Sequence, residues 1–395
     1  MRFRVLDSWR GLAALMVAAY HFEANSHLYH ISFFRNAFLF VDFFFVLSGF
    51  VIAHAYASEI GTARQGAAFM VRRFGRVYPL HFVVLAAFVA VEGLKLILSQ
   101  GFGINTATPA FDPAGYTPLA TLPGHIALTT SLGLHDTLTW NGPDWSISAE
   151  FWTYLVFALI VLATGRWRAI AMAAIGAIAA LWLVTHARHG IDATYDHGFV
   201  RCVYGFMAGQ VLYAARRHWH GLALPAASAV EFAALILVIA FVTIADRSAL
   251  SYAAPFVFAA ATFVFSYEQG AISRLLLRPA FQHLGETSYS IYMVHAFVWF
   301  VLGMAISVIG RASGVDPWQI VWGDGMSRRV LMFPSDGLLD LILLLYLALV
   351  LALAALTRRF VEDPGRRMFA RLAGRIAEPR ARPLGTAVGD GIKGL

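Results

Sequence analysis

Three properties of this 395-residue chain predict an all-α polytopic membrane bundle. It is 59% hydrophobic with a mean hydropathy of +0.66, only 13% of its residues are charged, and apolar stretches near the length of a bilayer crossing recur from end to end. No water inside hydrocarbon satisfies backbone N–H and C=O groups, so such stretches fold as helices. No block of soluble composition is long enough for a second domain. Residues 1–359 therefore read as one integral domain and 360–395 as a basic cytoplasmic tail.

Ten crossings follow from the apolar windows, at 10–29, 38–57, 79–98, 145–164, 168–186, 197–214, 223–244, 249–267, 287–309 and 336–356. Arg2, Arg4 and Arg10, the cluster Arg64, Arg72, Arg73 and Arg76, and the pairs Arg166/Arg168, Arg216/Arg217 and Arg274/Arg278 fall on alternate connections, as does the Arg-rich tail. By the positive-inside rule those connections and both termini are cytoplasmic. The first apolar run has no small-residue cleavage site behind it and is expected to stay as a helix.

The connections differ in character. Residues 64–79 read as a basic hairpin. The outer connection 99–144 is rich in Gly, Pro and Thr, and its apolar piece 125–134 is too brief to cross, so it is expected to re-enter or lie at the interface. Outer loop 311–336 carries Trp318 and Trp322, which suit either sugar stacking or, by preference, the interfacial aromatic belt. Past Phe360, Met368, Phe369, Leu372 and Ile376 recur at helical spacing, the pattern of an amphipathic helix on the inner leaflet.

A net charge of +7 and a pI near 9.7 raise the question of nucleic acid. The Arg residues stand beside membrane spans instead of on a soluble basic face, so topology and anionic headgroups account for them, and no nucleic-acid partner is expected. Cys202 is the only cysteine, which excludes an intrachain disulfide, and no Cys/His pattern calls for a metal.

Ionisable residues within spans carry the functional signal, because each is expensive in hydrocarbon. Arg10 and His21 lie eleven residues apart, close to three turns, and so share a helix face. At about 1.5 Å rise per residue, His21 lies roughly 16 Å deeper than Arg10. A surface cation above a buried imidazole suits a ligand with a phosphorylated head and a thin arm, the shape of a coenzyme A thioester. Glu23, Asn25 and His27 make the outer half of that helix a water-lined one. Asp42 is placed to orient a nearby imidazole, and Ser48 and Gly49 to allow close helix packing. Arg73 and Arg76, one turn apart, suit bidentate phosphate binding as well as they suit anchoring. Glu150, which follows Trp145 and Ser146 at the start of the fourth span, is placed to face a cavity.

Six blocks in order carry a family resemblance: LDSWRGLAALMVAAYHF from Leu6, VDFFFVLSGFVI from Val41, RRFGRVYPL from Arg72, WSISAEFW from Trp145, LGETSYSIYMVH at 284–295 and FVEDPGRR at 360–367. Together, over nearly the whole chain, they resemble the acyltransferase family 3 membrane proteins. The resemblance implies a bundle of about ten helices that moves an acyl group, acetyl by expectation, from cytoplasmic acyl-CoA to a hydroxyl of an extracytoplasmic saccharide or glycolipid. It also implies a bacterial cytoplasmic membrane.

By this resemblance Arg10 and His21 fill the N-terminal basic-to-His motif, Arg73 and Arg76 the RxxR motif, and Glu150 the acidic end of the Trp-Ser motif. Tyr289 and His295 fill the late block, where a core helix contact is the favoured role. The expected site thus has His21, Asp42 and Glu150 in catalysis and Arg10, Arg73 and Arg76 on the donor phosphates, without a metal. His21 acts as general base held by Asp42, with an acyl-imidazole as the competing route. From a different class, a proton-coupled transporter of a lipid-linked sugar would use His21, Glu23 and Asp42 as a relay.

Overall fold

The structure is a computed structural model that describes residues 3–104, 108–219, 221, 223–323 and 326–377. Its long helices are α1 (Arg4–Tyr20), α2 (Phe40–Tyr56), α3 (Ala63–Phe102), α4 (Trp145–Thr164), α5 (Arg168–His186), α6 (Gly198–His218), α7 (Ala227–Ala245), α8 (Ala254–Phe265), α9 (Pro279–Ala312), α10 (Asp336–Thr357) and α11 (Asp363–Ala377). One antiparallel hairpin, β1 (Trp318–Gly323) and β2 (Met326–Leu331), stands between α9 and α10.

Among the described residues, six helical segments are long and apolar enough to cross a membrane: Ala37–Tyr56, Ala63–Phe102, Gly142–His186, Ala227–Ala245, Pro279–Ala312 and Asp336–Ala377. The expected spans 145–164 and 168–186 fall within one of them, Gly142–His186. Three expected spans fall outside this set: 249–267 corresponds to the shorter apolar helix Ala249–Phe265, α1 has 17 residues, and α6 carries Arg201, Gln210, Arg216 and Arg217.

Several boundaries differ from the periodicity. The first helix ends at Tyr20 instead of running to 29, and beyond it the alternate residues Phe22 and Ala24 are buried. The chain there turns extended and pairs with the hairpin. Asn25 N–H donates to the Leu331 carbonyl at 2.9 Å, and Leu331 N–H donates to that of Glu23 at 2.9 Å. Residues 64–79 are not a hairpin but the first half of the 40-residue α3. That helix begins at a Thr62 cap, whose side chain accepts from Gln65 N–H, and stops at Gly103 with a φ of +68°. Pro79 sits inside it, where α11 lays Gly365 against the proline ring.

Loop 311–336 contains the hairpin, and the side chain of Trp322 lies outside the described residues. The segment after 99 is exposed at Leu119, Ile126 and Leu134 but carries a buried polar cluster. Its His125 is buried, donates from Nδ1 to Asp144 at 2.5 Å and contacts Thr139 Oγ1 through Nε2 at 2.9 Å, while His81 Nε2 reaches the His125 carbonyl at 2.9 Å. This polar plug fixes the turn that starts α4. The tail helix α11 forms as the spacing predicts, but it docks on α3, with Phe369 against Phe74 at 5.4 Å and over Gly75, leaving Met368 (59%) and Leu372 (45%) exposed.

Two helix pairs approach at backbone distance, and glycine permits both. A Cβ on Gly49 would press into the Phe206 backbone and one on Gly209 into that of Val46, which locks α2 on α6. A Cβ on Gly11 would meet Leu284 and Gly285, and one on Gly285 the Asp7 carbonyl, which locks α1 on α9. Overpacking a tight contact typically costs about 1–3 kcal/mol. Gly285→Val is therefore expected to lower the melting temperature in detergent; an unchanged melting curve would show that α1 and α9 do not touch there.

Candidate functional site

The lock between α1 and α9 sets two chambers end to end. The first, about 140 Å³, is lined by Arg10 from α1, Ser48 from α2, Arg73 and Arg76 from α3, Glu150 and Tyr154 from α4, and Tyr289 from α9. The three guanidiniums are in different electrostatic states. Arg10 donates from Nε to Ser288 Oγ at 2.8 Å and pairs with Asp7 at 3.1 Å. Arg76 forms an ion pair with buried Glu362, whose other oxygen accepts from Ser290 Oγ at 2.7 Å. A five-residue π-helical turn, Arg358–Glu362, ends at that carboxylate.

Arg73 has no carboxylate partner among the described residues. It donates to Tyr56 OH at 3.1 Å and lies over the rings of Tyr56, Phe69 and Tyr154 at 5.1, 5.9 and 5.8 Å. Arg73 is thus the one of the three arginines without a direct ion pair, while the Glu150 carboxylate lines the same chamber. Glu150 accepts from Ser48 Oγ at 2.6 Å and from Tyr154 OH at 2.5 Å, so the structure places it with the arginines and not beside His21.

The second chamber, about 830 Å³, holds His21 with Tyr20, Glu23, Tyr116, Arg201, Arg247, Trp299, Trp318, Arg328 and Arg329 among its walls. His21 Nδ1 lies 2.9 Å from the Val17 carbonyl and 3.2 Å from His295 Nε2. A carbonyl oxygen only accepts, so we assign the proton to Nδ1, which leaves the lone pair of the neutral ring on Nε2. His295 is fully buried, its ring centroid 4.8 Å from that of His21. It is a helix contact, as expected, but one made to the imidazole itself. The Tyr116 hydroxyl oxygen accepts from Gly142 N–H at 2.9 Å, steadying the turn before α4.

The expected pairing of Asp42 with His21 is corrected. Both Asp42 oxygens are taken by Arg201, at 3.0 Å from Nε and 2.8 Å from Nη2, in a pair with both groups fully buried. Arg201 also holds Asp192 at 3.2 Å, Asp192 holds Arg247 at 2.9 Å, and Arg247 donates to Tyr20 OH at 3.1 Å. Asp42 therefore reaches the imidazole only through a chain of charges that ends on the neighbouring Tyr20 ring, 4.9 Å from His21. Trp318 is a chamber wall: its Nε1 donates to Ser307 Oγ at 2.8 Å, and Arg329 lies over its ring at 4.9 Å.

Val41 and Tyr292 line both chambers. The Tyr292 hydroxyl lies 2.7 Å from Ser146 Oγ and 3.2 Å from the Pro143 carbonyl, and its ring packs on Phe44 at 5.7 Å and on His295 at 5.6 Å.

A family model described as an acyltransferase domain matches residues 3–359, which include all of these chamber residues except Glu362. The chain belongs to the acyltransferase 3 family. Its apolar helices and this membership make it an integral membrane protein with acyltransferase activity. It is also similar to "Protein 2 in picA locus" of Rhizobium radiobacter, at 35% identity over 168 residues, 40% of this chain and 81% of that protein. No solved structure matches the chain.

Removing one partner of a buried ion pair typically costs about 3–5 kcal/mol. Asp42→Ala is therefore expected to depress folding, with a melting temperature well below that of His21→Ala. Equal stability of the two variants would show that the pair with Arg201 is not structural.

Proposed function

We propose that the protein transfers an acyl group, acetyl by preference, from cytoplasmic acyl-CoA across the membrane to a hydroxyl of an extracytoplasmic saccharide or glycolipid. The observation that carries this reading is the placement of an arginine chamber and an imidazole chamber back to back along α1 and α9. In this reading the bundle crosses a bacterial cytoplasmic membrane ten times, α1 and α6 included, with both termini in the cytoplasm. The arginine chamber then opens to the donor side and the hairpin stands on the acceptor side.

Donor phosphates bind first on Arg73, which no carboxylate pairs directly, and then on Arg10 and Arg76, which a phosphate draws away from Asp7 and Glu362. The thioester arm reaches His21 from below as the acceptor hydroxyl enters from the large chamber. His21 Nε2 takes the hydroxyl proton, the oxygen attacks the thioester carbonyl, the C–S bond breaks, and the departing thiolate takes up a proton to leave as free coenzyme A. The same Nε2 lone pair serves the acyl-imidazole route, in which nitrogen attacks first and the acceptor oxygen second. A His21–Glu23–Asp42 proton relay has less support, since Arg201 occupies both oxygens of Asp42.

General base catalysis contributes about 10²–10⁴-fold. His21→Ala is expected to lose transfer by at least that range while coenzyme A still binds; full transfer by this variant would remove the base. One charge-assisted hydrogen bond contributes about 1.5–3 kcal/mol. Arg73→Ala is expected to weaken donor binding by calorimetry more than Arg76→Ala does, because only Arg73 has no charge to repay. The reverse order would move the main phosphate contact to Arg76.

A further inference from the structure

The two chambers abut at a shared wall. Between the arginines and His21 stand Val41 and Tyr292, and Tyr292 is 5% exposed. Its hydroxyl is fastened at the joint itself: Ser146 belongs to the wall of the arginine chamber, and Pro143 to that of the His21 chamber. The ring is braced on one side by Phe44 and on the other by His295, which touches His21. A thin arm long enough to run from Arg73 to His21 has to pass this ring.

We propose that Tyr292 is the partition of the site: it closes the passage while its hydroxyl holds the 143–146 turn, and it swings aside only when an acyl arm is threaded. This rests on the acyl-transfer reading for the identity of the arm, but the closed passage itself rests on geometry alone. Two consequences follow from the position. With the ring in place, water from the 830 Å³ chamber stays off a thioester waiting among the arginines, which suppresses futile hydrolysis. The opening also limits the girth of the acyl group that reaches His21, which makes Val41 and Tyr292 determinants of donor size.

The passage is tested without any turnover by a thiol introduced below it. Cys202 is the native cysteine and is buried, so Val51→Cys, in the arginine chamber, supplies the reporter. In sealed vesicles, a charged membrane-impermeant methanethiosulfonate added on the hairpin side is expected to leave this thiol unmodified while Tyr292 is present. It is expected to modify the thiol once Tyr292→Ala is added. Tyr292→Phe keeps the ring packing and removes both hydroxyl contacts, so it guards against misfolding and is expected to give faster labelling than the parent.

With acetyl-CoA, both Tyr292 variants are also expected to release severalfold more free acetate in the absence of acceptor. Labelling that is the same with and without Tyr292→Ala, in protein of normal melting temperature, overturns the partition. Labelling that changes while neither Tyr292 variant releases acetate from acetyl-CoA upholds the partition and overturns the acyl-transfer reading instead. A merely structural role for Tyr292 would lower transfer and hydrolysis together, and that outcome also counts against the proposal.

Discussion

Backbone contact between α1 and α9, at Gly11 and Gly285, is the constraint on which the site depends. Two helices that approach this closely fix each other's rotation, and the side chains above and below the contact have no choice of neighbour. Arg10 meets Ser288 at one end, and His21 meets His295 at the other. A bulkier residue at the crossing would pivot α1, and the guanidinium and the imidazole would then leave their chambers in opposite directions. The catalytic spacing is therefore set by two residues that carry no functional group.

Charge compensation explains why three arginines in one small chamber are tolerated. At low dielectric three like charges repel strongly, and each unpaired ion costs several kcal/mol to bury. Asp7 and Glu362 neutralise two of them, while aromatic rings and one phenol hold the third. The same solution recurs higher up, where Asp42 and Asp192 bracket Arg201. Arg73 alone of the three arginines in the small chamber has no direct ion pair, and the Glu150 carboxylate shares its chamber.

Much of this was readable from the chain alone. Hydropathy gave the helical class, and helices such as Trp145–Thr164, Arg168–His186 and Asp336–Thr357 fall close to the predicted windows, because each has an uninterrupted apolar run with a break at Gly165 or a cap at Ser335. The three arginines do share a chamber, since helical spacing and order along the chain suffice to group them. Partner choice was not readable. Asp42 was assigned to His21 when a buried arginine on α6 held it, although an Arg within an apolar run is itself a signal of an intramembrane partner. The fate of residues 21–27 was also hidden, because it depends on β2, which lies some 300 residues further on and has no strand-like alternation of its own.

The join between that strand and the segment after His21 is made entirely by main-chain atoms: Leu331 exchanges N–H and C=O bonds with Glu23 and Asn25. Such bonds are indifferent to side-chain identity. The hairpin's side chains are set apart from that anchor: Trp318, Arg328 and Arg329 face the large chamber, so the backbone that seats the strand and the groups that shape the chamber wall can vary separately.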